Sequence, residues 1–523
     1  MRSSFAAACL ALAIALASWP SAAADASNFS FTEPPGEFAV GFKVVQQYDY
    51  SRAYLGRYDR ITGEPIRGQR ARPIQTLLWY PARKSGVPMR YADYLGLIGS
   101  EDDFGRTPEK QAAAVAGAMN WLVPPKMAAT QAEAEKTKAM WASSAAPAVE
   151  QRFPVVIYAP SFNASAFENA DLCEYLASHG YIVIASPSLG AHGREMTDDL
   201  EGIEAQVGDI EFLIGYAQNL TNADTSRIAV IGYSWGGVSN VFAAAKDSRI
   251  TALIGLDGGI RHVGKLIVQA KYVTPSHLVA PYLYLASPPP TQKDIDERKM
   301  DVSDDLPARM KYADVDEVML RPFQHYHFAS EHLRFLDTGD PAVFSGAYTQ
   351  EQISRTYNWM ARYVLKFLDA TLKNDKAAQG FVKNVPPGVK EKLVEIKTRQ
   401  AAGAPPTREA MAAELGRRGF ANAALVFDEM KKKDDSFVIE PFDFMTWIGT
   451  LQEQHRIKDA IEIGKLFTRV YPAMPGAHAW LAEAQVADGD KLAAIESYER
   501  AQKLDPANPN LGKALEKLRS QAH

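Results

Sequence analysis

The chain has 523 residues, of which 47% are hydrophobic and 23% charged, and this composition excludes a disordered or collagen-like protein. With 57 Lys and Arg against 62 Asp and Glu, the formal net charge is -5, and no Lys/Arg block supplies the basic face that nucleic-acid binding needs. At this length we expect two or three domains rather than a single core.

The first 24 residues have the pattern of a cleavable export signal. Arg2 is the only charged residue before Asp25, an unbroken apolar stretch runs over 5–17, and 22–24 are three alanines of the kind signal peptidase requires. Beyond this segment no apolar run reaches the 18 residues that predict a transmembrane helix. We therefore predict a signal peptide over 1–24 and a periplasmic or secreted location, with no integral membrane segment.

Two strand-like stretches, 38–50 and 73–81, open the remaining chain, and an Ala-rich helical pattern follows over 86–150. From Phe153 onward, short apolar runs alternate with helical periodicity, as in a parallel sheet with crossover helices. Strands are predicted at 154–159, 181–186, 227–232, 250–256, 282–286 and 317–323, and helices at 167–179, 196–220, 237–245 and 352–372.

The strand runs of this region are almost continuously apolar, which is typical of strands covered by helices on both faces. We therefore predict an α/β domain over 25–375 with a doubly wound, mostly parallel sheet. The segment 86–150 is a helical insert within it. Two interpretations of the insert stay open, a cap over the cleft and a helical decoration packed on the sheet.

A linker is predicted over 376–406, because two Pro-Pro pairs bracket a short charged segment there, which is predicted to be a helix. Over 407–523 like residues recur at a spacing of 33 or 34, namely Trp447 and Trp480, and Pro472 and Pro506. This period resembles the tetratricopeptide repeat, whose units are helix hairpins that bury their apolar faces by stacking. We predict an all-α repeat domain that binds a protein partner or a second copy of the chain.

The pentapeptide Gly-Tyr-Ser-Trp-Gly at 232–236 matches G-x-S-x-G and stands between a predicted strand and a predicted helix. A serine on such a tight turn presents its hydroxyl to the cleft, and the helix N-terminus directs positive partial charge toward it. A merely structural turn would not need this strand-turn-helix context. Ser234 is therefore the candidate nucleophile.

A serine nucleophile needs a histidine base, and the base needs an acid to orient it; in this fold the acid precedes the histidine in the chain. Asp257 directly follows the strand at 250–256 and precedes two glycines, so its carboxylate lies at the functional edge of the sheet. Asp294 and Asp296 follow the next strand in a Pro-rich loop and are the alternative. We favour Asp257.

The base is expected in the segment Gln-His-Tyr-His-Phe at 324–328, which offers His325 and His327. The residues alone do not decide between the two, and His332 is expected to belong to the next helix and face elsewhere. Glu331 lies four residues after His327, but the segment has the character of a loop and contains no established ligand motif. We expect neither a metal nor a cofactor.

An oxyanion hole needs two donors near the nucleophile. The backbone N–H of Trp235, the residue after the serine, is the first candidate. The second is the backbone N–H of Phe162, in the loop Pro-Ser-Phe-Asn that follows the strand at 154–159.

Taken together, these motifs resemble the platelet-activating-factor acetylhydrolase and dienelactone-hydrolase-like branch of the α/β-hydrolases. The resemblance spans about 38 to 372 and is carried by PIQTLLWYPA, PVVIYAPSFNASAFENADLCEYLASHGYIVIASP, GYSWGG, LDGG and H-x-x-F. In acetylhydrolase-like members the acid follows the strand after the nucleophile helix, which implies Asp257. Their histidine precedes a Phe by three positions, which implies His325 with Phe328. The family usually has a Gly-rich turn where this chain has Asn163.

The expected protein is an exported serine hydrolase that cleaves a carboxylic ester through an acyl-enzyme intermediate, on a small-molecule or lipid-like substrate. The repeats would serve protein interaction or self-association, and no nucleic acid is expected as a partner. Two alternatives stay open. One is a catalytically inactive periplasmic scaffold or binding protein with a hydrolase fold, and the other is a peptidase, because the same triad cleaves esters and amides.

Overall fold

The computed structural model describes residues 29–59, 61–336, 348–384 and 393–520. The signal peptide predicted over 1–24 lies outside these described residues. Within them, no helix combines the length and the apolar character needed to traverse a membrane. The chain divides into two compact units, Met1–Ala402 and Gly403–His523, and each has its own hydrophobic core.

A sheet with eleven strands in the described residues forms the centre of the first unit. The strands are β1 (Ala39–Ala53), β2 (Ala71–Ala82), β3 (Pro88–Arg90), β4 (Ala139–Ser144), β5 (Phe153–Ala159), β6 (Ile182–Ala185), β7 (Ala223–Tyr233), β8 (Ile250–Leu256), β9 (Tyr282–Ala286), β10 (Val315–Leu320) and β11 (Val394–Arg399). Their spatial order is β11-β10-β9-β8-β7-β5-β6-β2-β1-β4-β3. The strands from β6 to β10 in this order pair in parallel, while β2 and β11 pair antiparallel on either side of them.

Helices cover both faces of this sheet. In the first unit they are α1 (Tyr91–Leu95), α2 (Pro108–Leu122), α3 (Ala129–Thr137), α4 (Ala170–Ser178), α5 (Leu200–Ala217), α6 (Gly236–Lys246), α7 (Gly264–Gln269), α8 (Gln292–Arg298), α9 (Leu306–Arg309), α10 (Ser330–Arg334), α11 (Gln350–Leu372) and α12 (Lys376–Lys383). Every residue of β5 is buried, because two separate apolar clusters occupy the two faces of the sheet. The predicted doubly wound, mostly parallel sheet is confirmed.

Two segments differ from their predictions. The insert over 86–150 contains α1 to α3 as predicted helices, but it also contributes β3 and β4 to one edge of the sheet. The segment 376–406, predicted as a linker, carries α12 and the edge strand β11, which pairs with β10 from Val394 opposite Leu320 to Arg399 opposite Val315. Both sets of strands lie at sheet edges, where exposed and charged residues interrupt the apolar pattern that identifies a central strand.

The second unit is helical throughout its described part. It contains α13 (Arg408–Arg418), α14 (Ala423–Lys433), α15 (Pro441–Glu453), α16 (Ile457–Val470), α17 (Pro475–Asp488), α18 (Lys491–Leu504) and α19 (Pro509–Ser520). Ala460 in α16 and Ala494 in α18 are both completely buried, 34 residues apart, so equivalent small residues pack inside two different helices. The all-α character is confirmed, and the tetratricopeptide-like repeat stays a prediction.

Arg334 at the end of α10 joins the insert to the sheet domain. Its guanidinium is 1% exposed and donates to Glu135 of α3 at 3.1 Å and to Asp171 of α4 at 2.6 Å. It also lies over the ring of Tyr91, the first residue of α1, 4.6 Å from the centroid. A buried cation between two carboxylates leaves uncompensated charge when it is removed.

We expect Arg334→Met to lower the free energy of unfolding by about 3 to 5 kcal/mol, because Glu135 and Asp171 would stay buried without their cation. Urea denaturation followed by tryptophan fluorescence measures the change. Lys293→Met is the matched control, since Lys293 is 79% exposed and its contact with Glu297 is long, at 3.8 Å; it should change stability by no more than about 0.5 kcal/mol. Equal effects of the two substitutions would contradict a stabilising role for the buried cation.

Candidate active site

Ser234 occupies the sharp turn between β7 and α6. Its backbone has a φ of +53°, and its N–H donates to the carbonyl of Leu256 at 3.0 Å. The flanking glycines are required by close packing: a Cβ on Gly232 would lie 2.0 Å from the carbonyl oxygen of Gly236, and one on Gly236 would lie 2.1 Å from that of Ala159. The G-x-S-x-G pattern is therefore the sequence requirement of this tight strand-to-helix turn.

The structure brings Ser234, His325 and Asp257 together at the carboxyl edge of the sheet. The distance from Ser234 Oγ to His325 Nε2 is 2.7 Å, and the distance from His325 Nδ1 to Asp257 Oδ2 is also 2.7 Å. Asp257 is largely buried and His325 is about half exposed. Asp257 is oriented by Ser287, whose N–H donates to Oδ1 at 2.7 Å. This is the hydrogen-bonding order of a nucleophile, a base and an acid.

The alternative residues lie elsewhere. His327 is completely buried, and its Nδ1 accepts the backbone N–H of Gln324 at 2.9 Å. Asp294 caps the N-terminus of α8, and Asp296 accepts from Gln292 on the same helix. The aspartate that is hydrogen-bonded to His325 Nδ1 is Asp257.

The loop after β5 is held from both sides. Ser161 donates its N–H and its hydroxyl to the two carboxylate oxygens of Glu168, each at 2.7 Å. Asn163 has a φ of +58° and donates its side-chain amide to Glu195 at 2.6 Å. Asparagine tolerates this left-handed conformation better than most residues, so it can stand where the resembling family has glycine. Phe162 lies between these two fixed residues.

Among the described residues, no protein group accepts a hydrogen bond from the backbone N–H of Phe162 or of Trp235. The two side chains also meet, with their rings edge to face at 5.8 Å between centroids. Two unpaired N–H donors on adjoining turns are what an oxyanion hole requires.

Two buried glutamates lie behind this loop; sequence reasoning missed Glu168 and weighed Glu331 only as a metal ligand. Glu168 is buried, accepts the hydroxyl of Tyr158 at 2.9 Å, and has its pKa raised to about 7 by burial. Glu331 is also buried, and burial together with the charges of Glu168 and Glu101 raises its pKa to about 8. The available signal was a cluster of polar residues, Glu168, Asn169 and Asp171, between the apolar residues of 166–172.

A cavity of about 550 Å³ adjoins the loop after β5, and the insert supplies one of its walls. Trp121 of α2 lines it and is 79% exposed. His332, predicted to face elsewhere, also lines it, and burial together with the charge of His325 lowers the pKa of His332 to about 4. Within the described ranges, the cavity included, no group of three or more His, Cys, Asp or Glu side chains is arranged to hold a metal ion.

Parts of the sequence are similar to known proteins. The sequence model of the chlorophyllase family matches residues 119–266, which include Phe162, Ser234 and Asp257. A probable 1-alkyl-2-acetylglycerophosphocholine esterase of Arthroderma benhamiae is 24% identical over 124 residues, which are 20% of this chain and 32% of that protein. The chain thus spans about a third of the curated relative's length.

Among solved structures, a ferulic acid esterase from Streptomyces cinnamoneus is similar with a TM-score of 0.48 and 19% identity, covering 70% of this chain and 98% of that one. The first unit thus has a large, mostly parallel α/β sheet, and parts of its sequence are similar to the chlorophyllase family and to an esterase.

The buried glutamates predict a pH-dependent stability. Because the pKa of Glu331 is about 8 in the folded chain and 4.5 ordinarily, the folded state keeps a proton that the unfolded state loses. Stability is therefore lost as pH rises from about 4.5 to about 8. We expect Glu331→Gln to reduce the loss between pH 5 and pH 8 by on the order of 2 to 4 kcal/mol, measured by urea denaturation at both pH values.

Glu168→Gln serves as the comparison for this experiment. The pKa of Glu168 is raised less, to about 7, so its substitution should flatten the pH dependence less than Glu331→Gln does. A Glu331→Gln variant with the same pH dependence as the unsubstituted protein would show that this carboxyl ionises as it does in an unfolded chain.

Proposed function

We propose that the chain is a serine hydrolase that cleaves carboxylic esters through an acyl-enzyme intermediate. The observation that carries the proposal is the continuous hydrogen-bonded series from Ser234 through His325 to Asp257, with 2.7 Å at each step. The esterase named among the relatives supports ester rather than amide substrates.

In the first half of the reaction, Ser234 Oγ attacks the ester carbonyl carbon while its proton passes to His325 Nε2. Asp257 accepts a hydrogen bond from the Nδ1–H of His325, and this bond holds the imidazole in the correct tautomer and stabilises the imidazolium. The N–H groups of Phe162 and Trp235 donate to the oxyanion, and removing one such donor typically costs about 3 kcal/mol of barrier. Collapse of the intermediate expels the alcohol, which takes the proton from His325.

In the second half, water attacks the acyl-serine and gives its proton to His325 Nε2, and Ser234 is released with that proton. The carboxylic acid is the second product. The fixed conformation of Asn163, with φ of +58° and a side chain bonded to Glu195, supports an active enzyme over an inactive scaffold, because the loop is shaped without glycine.

We also propose export and a partner-binding role for the second unit. Export rests on the sequence of residues 1–24 alone. The role of the second unit rests on its helices and on the buried alanines 460 and 494 at repeat spacing, as in helix-hairpin stacks that bind protein segments.

Labelling with a fluorophosphonate tests the nucleophile. We expect one adduct, mapped to Ser234 by peptide mass, and we expect Ser234→Ala to abolish labelling and to lower kcat on a simple aryl ester by roughly 10⁴-fold or more. Ser226→Ala is the control, because Ser226 is an exposed serine near the opposite end of β7. Full activity in Ser234→Ala would refute the assignment.

A matched pair of substitutions tests the base. His325→Asn should lower kcat by roughly 10⁴-fold or more, because the asparagine amide cannot take the serine proton. His327→Asn can keep the bond from the N–H of Gln324, so its kcat should fall by no more than about 10-fold, with thermal stability lowered instead. Steady-state kinetics and thermal melts distinguish the two, and the opposite ranking of kcat would identify His327 as the base.

A further inference from the structure

The cavity beside the loop after β5, called the Trp121 cavity below, is lined by Ser161, Phe162 and Asn163 of that loop and reaches the candidate nucleophile only by way of Phe162. Its volume of about 550 Å³ falls within the range of small-molecule sites. Phe162 is part of its wall, and the ring of Phe162 contacts Trp235, the residue directly after Ser234. A substrate arm extending from the reacting carbonyl past Phe162 would therefore enter this cavity.

One wall of the Trp121 cavity is apolar. Ala114, Ala118 and Trp121 lie four and three residues apart on α2, so they share a face of that helix, and all three line the cavity. Ile98 and Phe162 also line it. The two alanines leave space, while the large ring of Trp121 stays 79% exposed at the wall. A flat apolar group would bury that ring and gain the aromatic contact geometry it offers.

The remaining wall is acidic, and its cations are already paired. Arg106 contacts Asp102 at 2.7 Å, and Arg194 contacts Glu101 at 3.1 Å. Other carboxyl groups in the wall are those of Glu195, Glu168 and Glu331, of which the last two carry less negative charge at neutral pH because burial raises their pKa to about 7 and about 8. A substrate arm carrying a carboxylate would face these groups and would have to displace an existing ion pair to gain a cation.

We propose that the Trp121 cavity binds an uncharged aryl arm of the ester substrate, with Trp121 as the specificity-determining residue. This inference rests on the proposed esterase function. The aryl group can belong to the acyl part or to the alcohol part, and both present the same flat apolar surface to α2. The insert thereby acts as a substrate-binding cap.

Three esters separate these cases: ethyl benzoate with an aryl acyl part, phenyl acetate with an aryl alcohol, and ethyl acetate with neither. We expect Trp121→Ala to raise KM roughly 10-fold for the aryl ester whose ring enters the cavity, with kcat changed less than twofold. The kcat/KM for ethyl acetate should change less than twofold, and Trp121→Phe should restore most of the loss. Equal changes for all three esters would overturn the proposal.

The charge of the wall gives a second, independent readout. Monoethyl terephthalate differs from ethyl benzoate by one carboxylate, and we expect its kcat/KM to be at least about 10-fold lower. Glu195→Gln should bring the kcat/KM of monoethyl terephthalate closer to that of ethyl benzoate, because it removes one negative charge from the wall. The amide oxygen of the glutamine can still accept the hydrogen bond from Asn163. If Trp121 binds the ring of ethyl benzoate, equal rates for the two esters in the unsubstituted protein would overturn the uncharged-arm preference; if it binds the ring of phenyl acetate, the same comparison is made between phenyl acetate and 4-acetoxybenzoate.

A control and a binding assay complete the design. Phe442→Ala removes another exposed aromatic ring, 69% exposed on α15 of the second unit, and should leave all ester kinetics unchanged. Binding of ethyl benzoate and phenyl acetate to Ser234→Ala, followed by NMR line broadening, is then compared with binding to the Ser234→Ala, Trp121→Ala double variant. Binding lost only in the double variant supports the cavity even if no ester is hydrolysed, whereas equal binding overturns it.

Discussion

The contact between two glycine turns sets the geometry of the whole site. A Cβ on Gly237, the second residue of α6, would lie 2.6 Å from the Cα of Gly258, which directly follows Asp257. The turn that carries the serine and the turn that carries the acid are thus in backbone contact. Both Ser234 and Asp257 adopt positive φ, at +53° and +47°. Such conformations persist where surrounding packing fixes them, and the parallel strands β7 and β8 supply that packing.

Most of this architecture was predictable because its determinants are local in sequence. The central strands are short apolar runs that end at the edge where the site lies, and Ile250–Leu256 and Tyr282–Ala286 were predicted with the bounds that the structure has. The edge strands were not predictable in the same way. Lys397 and Arg399 of β11 are charges compatible with an exposed sheet edge, and in sequence they look like those of a surface helix.

Part of the candidate site was predictable because it, too, depends on local sequence. Ser234 and Asp257 directly follow buried strands, so the strands locate them. Between His325 and His327 the residues gave no preference, because burial of His327 depends on packing from Phe323 and Tyr326 in three dimensions. Glu168 escaped notice since its role depends on Ser161, seven residues earlier, folding back onto it. Hydrogen bonds within a loop, such as those from Ser161 to Glu168, have no periodic sequence signal.

The edge strand β11 also decides where the chain can be divided. It follows α12 and lies only a few residues before the boundary between the two units at 402 and 403. A fragment ending at 375, where the sequence alone would place the end of the catalytic domain, would lack the strand that pairs with β10. The backbone donors and acceptors of β10 would then face solvent and offer a template for pairing with other chains. A soluble fragment of the first unit must therefore extend to about residue 402, so the last strand of its sheet is encoded directly before the helical second unit.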